Sequence, residues 1–378
     1  IYRLGHAVDW RGFVAALADF HAPVQNFAYA DTSGAIGFIT AGRVPLRNKG
    51  DGATPMPGWS GAGEWTGWIP FPRMPQTFNP KSGLIVNANN QVTGLQYPYR
   101  LTARWPDGYR AQRIENLLTD LPHAGMADLA TVQMDALSLP AQELKELFDQ
   151  PMGLSPQAAQ AARMIAAWDG IMTRDRPEPL LWNAWMDRLW QRLLADDLGE
   201  DIQSMRAPRP RVLGEILTSN RHWCDDVTTE KAESCDDMVS LALEETVTRL
   251  VAQFPDLPME RWTWGSVHRA RFSHPILGRI PLLREFSDIV VATDGDDFTV
   301  SRGSFSPDDF SHVHGAGLRV IFDLSNLDNS TFVLAPGQSG NPLSRYYDDL
   351  LPDWQRNRGH TIPLETTNSP TLLLEPGD

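Results

Sequence analysis

Residues 26–40 read NFAYADTSGAIGFIT. Two short runs rich in β-branched and aromatic residues, NFAYAD (26–31) and AIGFIT (35–40), flank Thr32-Ser33-Gly34, whose turn chemistry predicts an antiparallel hairpin. Just upstream, Asp9 can cap a helix reaching to about Phe20, because Trp10, Phe13, Leu17 and Phe20 recur on one face. A helix followed at once by a hairpin sets the expectation of a fold that mixes the two.

Outward from the hairpin, residues 42–80 are dense in Gly, Pro and Trp (GRVPLR, TPMPGWSGAGEWTGWIPFPRMP), too punctuated for long elements and too aromatic for disorder. They are expected to form an ordered loop over a site. LIVNANNQV (84–92) follows: a strand at Leu84–Val86 that runs straight into amide side chains. Beyond Tyr99 the period turns helical. GYRAQRIENLL starts an apolar face with Arg110, and Ser155-Pro156 is a cap with proline at the first helical position of a helix closing near Gly170. Leu181, Trp185, Leu189 and Leu193, then Leu243, Val247, Leu250, Val251 and Phe254, give two more amphipathic helices, whose Trp and Leu read as core. From about Ile280 short strands return as DIVVAT, DFTVSR, LRVIFDL and TFVLAP. Strands, a helical middle and strands again make an α+β layout, with sections at 1–100, 101–255 and 256–378.

The 378 residues carry 33 basic and 47 acidic side chains, a net charge of −14, without a Lys/Arg stripe to track phosphates, so nucleic acid is excluded as a partner. Eight Asp or Glu lie between Asp225 and Glu245, read as a solvated face. No apolar run of eighteen residues suggests a membrane span. Cys224 and Cys235, the two cysteines, sit in the loop-like WCDDVTTEKAESCDD. They are either a disulfide or two buried thiols; closeness and loop context favour the bridge, worth roughly 3 kcal/mol, which would imply an oxidising compartment.

NFAYADTSGAIGF, GRVPLR, PMPGWSGAGEW, GWIPFPRMP, NPKSGLIVNANN, YPYR and GYRAQRI, followed by AAWDGIM, WCDD, WTWGSVH, HPIL, GDDFTV, HGAGLRVIFDL and PGQSGNPLSRYYDDLLPDW, together resemble the β-subunit of the penicillin acylase family of N-terminal nucleophile hydrolases. The resemblance covers essentially the whole chain. It implies a four-layer αββα sandwich with a helical middle section, an autoprocessed precursor, and an N-terminal Ser that attacks the amide of an N-acyl compound with its own α-amine as base. By motif, Asn89 matches the oxyanion-hole asparagine, a donor that does not titrate. Arg110 matches the arginine beside the catalytic amine, where a permanent positive charge keeps that amine deprotonated. Arg113 is assigned a structural ion pair. Left to themselves, Asn87, Asn89 and Asn90 would read as turn residues bonding nearby backbone.

Ile1 has no nucleophilic side chain, so the resemblance also implies partners: an α-subunit and the N-terminal part of the β-subunit from the same precursor, in a periplasmic or secreted enzyme. No cofactor is required for such catalysis. A structural calcium is frequent in the family, but the expected acidic position falls in YPYRL (97–101), which has no carboxylate. His312 and His314 alternate in HVHGAG without a third ligand at metal spacing, so no metal residue is assigned. SRYY (344–347) departs from the family's Pro-His between Ser and Tyr and reads as a surface or subunit-contact variation. The competing readings are a Trp-rich carbohydrate-binding module and a non-catalytic acylase homologue; a glycosidase would need facing carboxylates, which the neighbours Asp225/Asp226 and Asp348/Asp349 do not supply.

Overall fold

The hairpin forms as read: β1 (Gln25–Ala30) pairs antiparallel with β2 (Ile36–Ala41), from Gln25 opposite Ala41 to Ala30 opposite Ile36. Asp31 makes the turn by accepting from the Ser33 amide at 2.8 Å and the Ser33 hydroxyl at 2.5 Å, while Gly34 takes φ 88°. Helix α1 (Trp10–Leu17) is capped by Asp9, which accepts from the Gly12 amide at 2.7 Å. It stops three residues short of Phe20. This computed structural model describes residues 1–148, 153–361 and 363, so the end of the 256–378 section lies outside the described residues.

The chain divides into two compact units: residues 1–108, 320–333 and 359–378, and residues 109–319 and 334–358. In the first unit, β3 (Pro45–Arg47) pairs with β4 (Trp65–Trp68), and β5 (Gln76–Phe78) adds to the free side of β2. Two small cores result. Leu17, Ile39 and Ala41 are packed by Trp10, Phe13 and Phe27, and Val44, Ile69 and Met74 by Leu46 and Phe71. Trp10 lies across the sheet so closely that a Cβ on Gly37 would come within 2.4 Å of its ring; only glycine fits there.

Leu84–Val86 is not a strand. The Ser82 hydroxyl accepts from the Leu84 amide at 3.3 Å and contacts its carbonyl at 3.2 Å, so a side chain takes the backbone groups a ladder would need.

The second unit is mainly helical: α2 (Tyr109–Thr119), α3 (Met126–Gln133), α4 (Leu139–Leu144), α5 (Pro156–Ala167), α6 (Glu178–Leu198), α7 (Pro210–Thr218) and α8 (Cys235–Gln253). Ser155 caps α5 through the Ala158 amide at 3.2 Å. Helix α6 is apolar on nearly all sides, with Leu181, Trp182, Trp185, Leu189 and Leu193 fully buried, as expected of a helix surrounded by protein. Of the acidic residues on α8, Asp236 and Asp237 are exposed, as read, whereas Glu244 accepts from Ser155 and Glu245 from Arg188 and Arg192. Cys224 and Cys235 are joined in a disulfide with Cα atoms 4.9 Å apart, and both are buried.

After the short helix α9 (Trp264–Val267) the chain builds a four-stranded sheet from β6 (Arg269–Phe272), β7 (Ile289–Ala292), β8 (Gly303–Phe305) and β9 (His312–Gly315), in the order β7-β6-β9-β8. Helix α10 (Pro281–Ser287) precedes β7. DFTVSR, expected as a strand, is a loop, because Asp296 captures the Phe298 and Thr299 amides at 2.7 and 2.9 Å. LRVIFDL and TFVLAP supply β10 (Leu318–Ile321) and β11 (Thr331–Leu334), which are followed by helix α11 (Leu351–Arg356) and β12 (His360–Thr361).

Candidate active site

Asn89 and Arg110 fall in different units, and each is placed by its own surroundings. The NANN turn is held by amides. The Thr40 hydroxyl donates to Asn26 Oδ1 at 2.7 Å, Asn26 Nδ2 to Asn87 Oδ1 at 3.4 Å, and the Asn89 amide to the same Asn87 Oδ1 at 3.4 Å. Asn90 Oδ1 accepts from the Ala88 amide at 3.1 Å. Asn89 takes φ 66°, the left-handed region that Asn enters more readily than other side-chain-bearing residues. Asn87 and Asn90 thus each accept a backbone amide of the turn, as turn residues do, and Asn89 is exposed at its tip. Asn87 Nδ2 is buried without a partner among the described residues. Beside the turn, Phe38, Thr77, Ile85, Val86, Asn90 and Thr93 line a cavity of about 290 Å³.

Arg110 is the second residue of α2 and largely buried. Burial lowers its pKa to about 10, repulsion from Arg302 adds to the effect, and Asp297 opposes it. The guanidinium remains a cation at neutral pH. Its neighbour Arg113 forms the structural pair assigned to it, bidentate to Asp135 at 3.0 and 2.7 Å.

Sequence reading missed the weight of Gly295-Asp296-Asp297. Asp296 is completely buried, and burial raises its pKa to about 7 against the bonds from Phe298, Ser138 and Thr299. Asp297 accepts from Arg302 at 3.2 Å and from Ser304 at 2.5 Å. The turn requires Gly295, at φ 88°, because a Cβ there would meet the Ser301 carbonyl at 2.0 Å. Adjacent acids after a glycine in an apolar stretch were the available signal. His268 was also missed: it lies wholly buried between Trp264 and His312 at ring distances of 4.3 and 4.9 Å, and burial lowers its pKa to about 3.

His312 is committed to Thr293 Oγ1 at 2.8 Å, His314 is exposed, and no three His, Cys, Asp or Glu side chains gather into a metal-binding group among the described residues. In YPYRL, Arg100 pairs with Asp51 at 2.5 Å at the surface. Arg345 stacks on Tyr346 at 4.5 Å, both exposed, which agrees with a surface variation at SRYY. Trp65 and Trp68 meet at 66° with Arg43 and Arg47 over their rings, so they do not make the flat platform on which a sugar stacks.

The profile of the penicillin amidase family matches residues 1–371. Penicillin acylase 2 proenzyme of Pseudomonas sp. (strain SE83) is 32% identical over 87% of the chain and 43% of that protein. Acyl-homoserine lactone acylase QuiP of Pseudomonas syringae pv. syringae is 26% identical over 95% of the chain and 47% of its own length. The chain thus spans somewhat less than half of these relatives. A solved structure of thermostable penicillin G acylase from Alcaligenes faecalis superposes with a TM-score of 0.68 at 20% identity, covering 100% of this chain and 72% of that one. At that identity the likeness establishes the fold, an α+β N-terminal nucleophile hydrolase fold.

Proposed function

Because this chain belongs to the penicillin amidase family, we propose that it is the larger part of the β-subunit of a linear-amide hydrolase that removes the acyl group from an N-acyl compound. Its nucleophile is an N-terminal Ser supplied from outside these residues. The hydroxyl oxygen attacks the amide carbon and its proton passes to the α-amine of the same residue. As the tetrahedral intermediate collapses, the carbon–nitrogen bond breaks and that proton moves to the leaving amine. Water then hydrolyses the acyl-enzyme ester to release a carboxylate.

The observation that carries this reading is the turn at residues 87–90. Asn87 and Asn90 each accept a backbone amide of the turn, and Asn89 is exposed at its tip in a left-handed conformation. A donor fixed by its turn stabilises charge that develops on the carbonyl oxygen without reorganising as that charge appears. Arg110 is assigned the electrostatic task of disfavouring protonation of the attacking residue's amine. No metal or organic cofactor enters these steps. The reading includes an α-subunit and an N-terminal β segment from the same precursor as partners. The Cys224–Cys235 disulfide supports a periplasmic or secreted location.

Acyl-homoserine lactones and β-lactam side chains, named for the relatives, and acylated peptides are the substrate classes to compare. Intact mass and N-terminal sequencing of the assembled protein, then a panel of long-chain and aromatic acyl amides, test the proposal. A copurifying polypeptide headed by Ser and an acyl adduct on it are expected. Absence of any Ser, Thr or Cys at a processed N-terminus would replace this reading with a non-catalytic homologue.

A further inference from the structure

In the second unit, Arg174, Arg302 and Arg319 line one small cavity together with His312, Thr293 and Asp294. Three guanidinium groups face one carboxylate, and that carboxylate is partly committed: Asp294 Oδ1 accepts from the Arg174 amide at 2.7 Å and lies 3.9 Å from its Nε. The other two arginines differ: one is ion-paired but keeps an N–H without an acceptor, and the other has no counterion among the described residues. Arg302 gives Nη2 to Asp297, yet its Nε is buried without an acceptor among the described residues. Arg319 is bonded to the Trp354 carbonyl at 2.6 Å and stacks on the Trp354 ring at 5.0 Å, and no carboxylate lies within salt-bridge distance among the described residues.

A buried N–H without an acceptor and a desolvated cation without a counterion are both costly, and a single oxyanion would relieve both at once. Arginine suits that role because its planar fork offers paired donors to carboxylate or phosphate oxygens. The cavity, about 20 Å³, admits a small oxygen-bearing group and nothing larger.

We propose that this cavity binds a small oxyanion, the head group of a phosphate or a carboxylate, held by Arg319, Arg302 and Arg174. The test is thermal unfolding and titration calorimetry of the assembled mature protein with inorganic phosphate in one arm and acetate in the other, at ionic strength fixed with sodium chloride. A saturable rise in Tm, about 1 °C at ten times Kd, is expected in at least one arm, and which arm responds identifies the anion. Arg319→Met should weaken binding by about tenfold or more. Arg174→Gln serves as the second variant should the first not fold, and it too should weaken binding. An unsaturable rise, or one of equal size in the variants, is general exclusion of salt from the surface and overturns the proposal. So does the absence of a response in both arms.

Discussion

At the scale of single residues, the turn at residues 87–90 separates fold from chemistry in a way that can be measured. Replacing Asn89 by alanine would remove the amide and also place a less tolerant residue at φ 66°. Asn89→Gly removes the amide while keeping the backbone comfortable, so it should lower turnover of the assembled enzyme by about two to three orders of magnitude with Tm nearly unchanged. Wild-type turnover in that variant would take Asn89 out of the mechanism. Arg110→Leu removes a positive charge assigned to a neighbouring ammonium, whose pKa then rises. The acidic limb of the pH–rate profile should move upward by about one unit, and an unchanged limb would leave Arg110 a structural role only. Asp296 carries a separate, purely energetic prediction. Its folded pKa of about 7 exceeds its unfolded value of 3.8, so between those pH values the folded state holds a proton that the unfolded state has lost. Stability therefore falls as pH rises through that window, by up to about 4 kcal/mol. Asp296→Asn should flatten the dependence of Tm on pH between about 4 and 7.

At the scale of elements, what the sequence made legible was what local chemistry decides. The hairpin at 25–41 was read correctly because Asp31, Ser33 and Gly34 set the turn within a few residues. The α5 cap at Ser155 and the buried stripe of α6 were legible for the same reason. Residues 84–86 and 297–302 were misread because a polar side chain, Ser82 in one case and Asp296 in the other, took the backbone groups that a strand would have shared. Nor does composition reveal that Asp296 or His268 would be buried, since that depends on what distant segments pack over them. Two predictions belong to this scale. Trp182, fully buried with Trp168 and Trp185 around it, should cost about 3–5 kcal/mol in urea unfolding when changed to alanine. Cys224 ends a short helical turn and Cys235 begins α8, so changing both to serine should destabilise by roughly 3 kcal/mol, with the greatest gain in hydrogen exchange at the start of α8.

At the scale of the whole molecule, the two units differ in how they are held together. The second unit has one large core running through α5, α6 and α8, while the first relies on two clusters of three buried residues each and leaves Trp59 and Trp65 exposed at 91% and 58%. Opening free energies should follow that difference. Deuterium uptake measured by mass spectrometry is expected to be slowest in residues 180–194 and faster throughout residues 36–78; equal protection in both would contradict it. The family and the N-terminal nucleophile hydrolase fold were legible from ordered motifs along the chain, whereas choice of acyl chain was not, because the chain spans less than half of its relatives.

The contacts that run from Thr40 through Asn26 to Asn87 have a practical consequence for anyone screening for inactive variants. Thr40 is 3% exposed and sits inside the opening hairpin, so it has no access to a bound molecule. Loss of its hydroxyl would nonetheless release Asn26, and with it the grip on the loop tip three links away. On the role proposed for Asn89, genetic selections should therefore recover lesions at Thr40 and Asn26 that mimic its loss while leaving solubility intact.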